Sequence, residues 1–115
     1  MIRLKRAYEP AESTDGWRVL VERLWPRGVT KERLQLDEWV KDVAPTSELR
    51  RWFAHDPARW SEFQRRYLVE LRANPDGWKP LLARSRRGRV TLVYAARDTE
   101  HSGALVLKTF LEKHA

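Results

Sequence analysis

The run Val90-Thr91-Leu92-Val93-Tyr94-Ala95-Ala96 constrains the fold more than any other stretch of this chain. It is short, β-branched and apolar at nearly every position, and it follows the turn signal Arg87-Gly88. A strand apolar on both faces belongs inside a sheet covered on both sides, the setting of parallel strands. Trp17 to Trp25 has the same character, with Trp17, Val19 and Val21 on one face and Leu20 and Leu24 on the other. Ile2 to Tyr8 alternates with period two up to Glu9-Pro10 and reads as a half-buried strand, and Ala11 to Gly16 is a polar loop.

Helices fill the intervals. Asp56-Pro57 is an N-cap followed by proline, after which Trp60, Phe63, Tyr67 and Leu71 recur at helical spacing. Asn74-Pro75 repeats that logic before Trp78, Leu81 and Leu82, with Gly88 as the stop. A shorter helix starts near Thr46-Ser47 and turns Leu49, Trp52 and Phe53 inward. The last helix is expected from about Thr99 to Lys113, its stripe being Ala104, Leu107, Phe110 and Leu111. Leu36 to Val43 fits either a helix or a strand. Strands separated by helices predict one α/β domain over residues 1–115, with a partly parallel central sheet flanked by helices.

Composition narrows the chemistry. The chain carries 23 Lys+Arg against 16 Asp+Glu, a net charge of +7, and no cysteine. The missing thiol excludes Cys nucleophiles, Cys-ligated zinc and iron–sulfur clusters. No apolar run is long enough for a secretory leader or a membrane span, so the cytoplasm is the expected compartment and no membrane partner is expected. The excess positive charge favours polyanions. The cluster Arg84, Arg86, Arg87 and Arg89 is the natural surface patch for nucleic acid. No glycine-rich phosphate loop, nucleophile elbow or short-spaced pair of metal ligands is present, so neither a cofactor nor a metal is expected.

In a parallel sheet the carboxyl edge gathers loops and helix N-termini, so charges there deserve weight. Glu22-Arg23-Leu24-Trp25-Pro26-Arg27-Gly28 places two charges where a structural strand would stay apolar. Either Glu22 and Arg23 pair with other charges to seal the edge, or Arg23 and Arg27 form an anion clamp. Trp25, between arginines, is placed to stack on a base. At the exit of the last strand, Ala95-Ala96 permits close approach, followed by Arg97, Asp98 and His101. Asp98 or Thr99 is expected to cap the last helix, with His101 in its first turn, where a neutral ring is favoured. Asp98 then orients His101 for proton transfer. His55, a loop histidine beside two aromatics, either bonds a nearby carbonyl or faces the same pocket.

Taken together, Ile2-Arg3-Leu4-Lys5-Arg6, Val19 to Gly28, Leu36-Asp37-Glu38-Trp39, Ala44-Pro45, Leu49 to Phe53, His55-Asp56-Pro57 and Tyr94 to Asp98 resemble the YeaO-like family of small bacterial proteins. The likeness covers nearly the whole chain. Similar chains often carry His-Asn where His101-Ser102 stands here, and the resemblance implies no mechanism.

Three functional expectations follow. In the first, Arg23, Trp25, Arg27, His55 and Arg97 bind a small anionic, phosphate- or nucleotide-containing ligand. In the second, His101 and Asp98 serve a hydrolase or transferase acting on a phosphorylated substrate. The third is a basic nucleic-acid-binding module.

Overall fold

The computed structural model describes residues 1–115. In chain order the elements are β1 (Ile2–Arg6), β2 (Trp17–Leu20), α1 (Lys31–Leu34), β3 (Glu38–Trp39), α2 (Ser47–Phe53), α3 (Trp60–Arg72), α4 (Pro75–Arg87), β4 (Val90–Tyr94) and α5 (Gly103–Lys113). The strands form one parallel sheet in the order β1-β4-β2-β3. Every residue of β4 is buried, as its unbroken apolar character requires of a strand between two neighbours. Leu4, Leu92 and Val19 lie in line across the sheet and face the helices. Lys5, Val93 and Leu20 lie in line on the other face.

The two faces are covered unequally. One carries a core of 20 buried residues, built from Val19, Val21, Val90 and Leu92 under α2 to α5. Within α3, Phe63, Tyr67 and Leu71 point inward at four-residue intervals, and the Tyr67 hydroxyl donates to the Val43 carbonyl at 2.6 Å. The other face has only 5 buried apolar residues, Ala7, Leu20, Val29, Leu34 and Val93, under α1 and loops.

Ions complete that second face. Asp15, fully buried at 0% exposure, sits at the end of a single 3₁₀ turn, Ser13–Asp15. It takes Lys5 Nζ at 3.0 Å and Arg18 Nη1 at 2.6 Å. Arg18 Nε and Nη2 both donate to the Leu34 carbonyl, at 3.1 and 2.8 Å. Burial alone would raise the Asp15 carboxyl, but the Glu12 backbone N–H, Lys5 and Arg18 outweigh it and hold it below the usual range. Gly16 lets this turn dock: its φ is +68°, and a Cβ there would stand 2.3 Å from the Arg89 carbonyl oxygen.

Several expected boundaries move. β2 stops at Leu20, although the Val21 N–H still bonds the Val93 carbonyl at 3.1 Å, and Leu24 is 60% exposed rather than facing a core. The chain leaves the sheet at Glu22, where the carboxylate turns to accept the Ala95 N–H at 3.1 Å. Leu36 to Val43 is neither a helix nor a full strand: only Glu38–Trp39 pair, at the sheet edge. Asn74 stands at the helix start but does not cap it, because its amide donates to the Asp42 carbonyl at 2.9 Å. The last helix begins at Gly103 with Ser102 as its cap, not Asp98 or Thr99. Asp98 Oδ1 instead accepts the Glu100 and His101 N–H groups, which holds residues 98–101 in a turn ahead of the helix. No helix is long and apolar enough to cross a membrane.

Candidate functional site

Because all strands run the same way, the loops after β1, β2 and β4 leave from one edge of the sheet. They converge there on a cavity of about 630 Å³. The β2 loop contributes Glu22, Trp25 and Arg27, and the β4 loop contributes Ala96, Arg97 and Asp98. Arg50 of α2 and His55 close the side. A shallower hollow of about 370 Å³ joins Arg27 and Arg97 to Arg6 and Tyr8. An adjoining recess of about 60 Å³ shares Glu22, Arg50, His55 and Ala96 with the main cavity and reaches His101 and the start of α5.

The arginines at this edge divide by employment. Arg6 braces the β4 loop, its Nε donating to the Ala96 carbonyl at 2.9 Å and its guanidinium lying 5.0 Å over the Tyr8 ring. Arg23 is also taken: its Nε and Nη2 donate to the carbonyls of Pro45 and Ala44 at 2.8 and 3.2 Å, with Asp42 4.0 Å away. It therefore does not line the cavity, and the expected two-pronged clamp with Arg27 does not form. The fork that suits an anion suits the open carbonyls of the Asp42–Pro45 loop equally well. Arg27, Arg50 and Arg97 are exposed, line the cavity and have no carboxylate partner.

Trp25 lines the cavity half-buried, its indole N–H donating to the Val29 carbonyl at 2.6 Å and its ring set edge-on to Trp39 at 5.5 Å. The ring is held by its own loop. His55 is exposed on the wall, its backbone in the left-handed region at φ 56° directly after Ala54 at φ 49°. Two consecutive non-glycine residues there carry strain. His101 and Asp98 do meet: Nδ1 lies 2.8 Å from Asp98 Oδ2, and Trp60 stands edge-on to the ring at 5.2 Å. The His101 bond, ahead of the Glu100 backbone N–H, holds the Asp98 carboxyl below its ordinary value.

Glu22 is the residue whose importance only the geometry reveals. It is half-buried and accepts the Ala95 N–H through Oε1, but it has no ion-pair partner. Burial pushes its carboxyl up, opposed by the Ala95 N–H, Arg50 and His55. Its sequence signal was a charge at the end of an apolar strand, which equally fits a sealing ion pair. Arg50 gave no signal at all, since an arginine on a short helix reads as solvated surface. No group of three or more His, Cys, Asp or Glu is placed to hold a metal ion.

The Arg84 to Arg89 cluster lies at the opposite, amino end of the sheet. Arg84 stacks 3.9 Å over Trp17, Arg89 donates to the Thr14 carbonyl at 2.7 Å and Arg86 reaches the His114 carbonyl at 3.5 Å. Three of its four guanidinium groups thus have partners within the protein. Any polyanion held there would be remote from the cavity.

Comparison with known proteins gives a consistent result. The chain is 43% identical over 110 residues to the uncharacterized protein YeaO of Escherichia coli strain K12, covering 96% of each chain. It is 42% identical over 110 residues to the uncharacterized proteins Rv3073c of Mycobacterium tuberculosis and Mb3100c of Mycobacterium bovis, covering 96% of this chain and 92% of each relative. No solved structure matches. The family model described as the Inactive DUF488-N3 subclade matches residues 1–115, and with the YeaO likeness this establishes that the chain belongs to that YeaO-like family.

Proposed function

We propose that the protein binds a small phosphate-containing anion at the carboxyl edge of its sheet and does not transform it. One observation carries this reading: Arg27, Arg50 and Arg97 line a single cavity of about 630 Å³ without a carboxylate partner. Guanidinium groups left unpaired around a concavity favour an anion, because the planar fork meets phosphate oxygens two at a time. Arg6, fixed by the carbonyls of the loop it braces, adds positive charge without needing to move. The hydrolase alternative draws support from the His101–Asp98 contact of 2.8 Å. Against it stand the word "Inactive" in the family description and the employment of the one hydroxyl lining the recess, Ser102 Oγ, which is buried and accepts the Leu105 N–H as the cap of α5.

The test is calorimetric titration with inorganic phosphate and pyrophosphate at about 50 and 200 mM salt. Binding that weakens with salt and falls about tenfold or more in Arg27→Ala supports the reading, since a charged hydrogen bond contributes roughly 1.5–3 kcal/mol. No binding of either anion overturns it. Turnover of a phosphate ester that disappears in His101→Ala would replace it with the catalytic alternative.

A further inference from the structure

The cavity does not end at its arginines. Glu22, Arg50, His55 and Ala96 line both the cavity and the adjoining recess, so the two spaces are continuous around one carboxylate. The recess holds about 60 Å³ between Phe53, Phe63 and the first residues of α5. A cavity of about 150 Å³ holds a benzene ring, so the recess has room for hydroxyl-sized groups and none for a nucleobase. Glu22 is its only acidic side chain. One carboxylate oxygen, Oε1, holds the Ala95 N–H at 3.1 Å, and the other has no partner within the protein. No polar side-chain atom sealed inside the protein lacks a partner, so that oxygen is a strong acceptor reachable from the spaces Glu22 lines. Burial raises the Glu22 carboxyl, against the opposing pull of the Ala95 N–H, Arg50 and His55.

The charges around it decide what kind of donor fits. An ammonium group would enter a cavity already carrying three unpaired guanidinium groups, and a second anion would meet the Glu22 carboxylate. A neutral hydroxyl incurs neither repulsion. Deepening the anion-site reading, on which it rests, we infer that Glu22 selects the ligand's uncharged part: the ligand is a hydroxylated phosphomonoester of the polyol or sugar phosphate class. Its phosphate lies on Arg27 and Arg97, and one hydroxyl donates to Glu22 from within the recess. A site built to bond a hydroxyl discriminates strongly against the analogue lacking it, because its own polar group is then left unpaired.

The experiment compares ribitol 5-phosphate, n-pentyl phosphate and inorganic phosphate by calorimetry on the wild-type chain and on Glu22→Gln. The glutamine keeps an oxygen for the Ala95 N–H, and circular dichroism checks its fold. The expected result is that ribitol 5-phosphate binds about tenfold tighter than n-pentyl phosphate, as one charged hydrogen bond implies. In Glu22→Gln that preference falls below about threefold while inorganic phosphate binds as well as before or better. A wild-type preference below about threefold, or one unchanged in Glu22→Gln, overturns the inference; the anion site stands if inorganic phosphate still binds. No binding of any of the three overturns both. The wild-type comparison decides the matter even if the variant does not fold.

Discussion

Asp15 and Glu22 are both acids at the sheet, and the protein treats them in opposite ways. Asp15 is fully buried and receives two cations, and its carboxyl is held low. Glu22 is half-buried, receives a single backbone N–H and no cation, and its carboxyl is pushed up. The first arrangement is closed, in that both Asp15 oxygens and all three nitrogens of the Arg18 guanidinium are bonded within the protein. The second is open, with a carboxylate oxygen and three arginines facing one cavity and left unpaired. The fold neutralises the charge at Asp15, whereas the charges at Glu22 are left open, as the proposed anion site requires.

The largest expected effect is at the closed site. Asp15→Ala strands Lys5 and Arg18 on the buried face and should cost about 3–5 kcal/mol of unfolding free energy, read by urea denaturation. A loss under about 1 kcal/mol would mean that water reaches the network and that the contrast with Glu22 is one of degree. Next comes Gly16→Ala, which drives a methyl group into the Arg89 carbonyl and should cost about 1–3 kcal/mol by undocking the same turn. A retained midpoint would show that the 3₁₀ turn is not needed to deliver Asp15.

The pH dependence sharpens the comparison, because the two acids contribute with opposite signs. The folded pKa of Asp15 is depressed, so its stabilisation is complete above the unfolded value near 4 and is lost as pH falls through the folded value. Glu22 has a raised folded pKa, so the folded state holds its proton longer. Its contribution is therefore most favourable below about pH 4.3 and declines as pH rises through the folded pKa. Wild-type stability minus that of Glu22→Gln should fall across this interval in a series of denaturation midpoints; a flat or rising difference contradicts the open-site description. At neutral pH the substitution should change stability by no more than about 1 kcal/mol. The smallest effect is expected for Ala54→Gly, which relieves a left-handed residue beside the cavity and should be neutral or stabilising by up to about 1 kcal/mol. Clear destabilisation would show that the His55 loop is not strained.

Much of this was legible in the chain. The unbroken apolar run of β4 gave a central parallel strand, and the Asp56-Pro57 and Thr46-Ser47 signals gave helix starts, because they depend on local propensity and on burial of a whole element. Convergence of the loops at residues 22–28 and 95–101 followed from parallelism alone. Failures came where a polar group had two potential partners. The sequence leaves Arg23 a choice between sealing the edge and clamping an anion, and the fold gives it two carbonyls and the nearby Asp42. The expected contact of Asp98 with His101 does form, but from a turn ahead of the helix, and the cap expected of Asp98 or Thr99 falls to Ser102.

The sequence by itself determined the layers, the parallel strands, the edge where loops gather and the excess of positive charge brought to it. Only the tertiary structure decided which charges are consumed and which stay free: Asp15 claimed by Lys5 and Arg18, Arg23 by the Asp42–Pro45 loop, Arg27, Arg50 and Arg97 by nothing. The physical reason is range. Periodicity and capping act over a few residues and are written locally, but the partner of a charge is whatever the fold brings within about 3 Å, and that is settled by packing of segments distant in the chain.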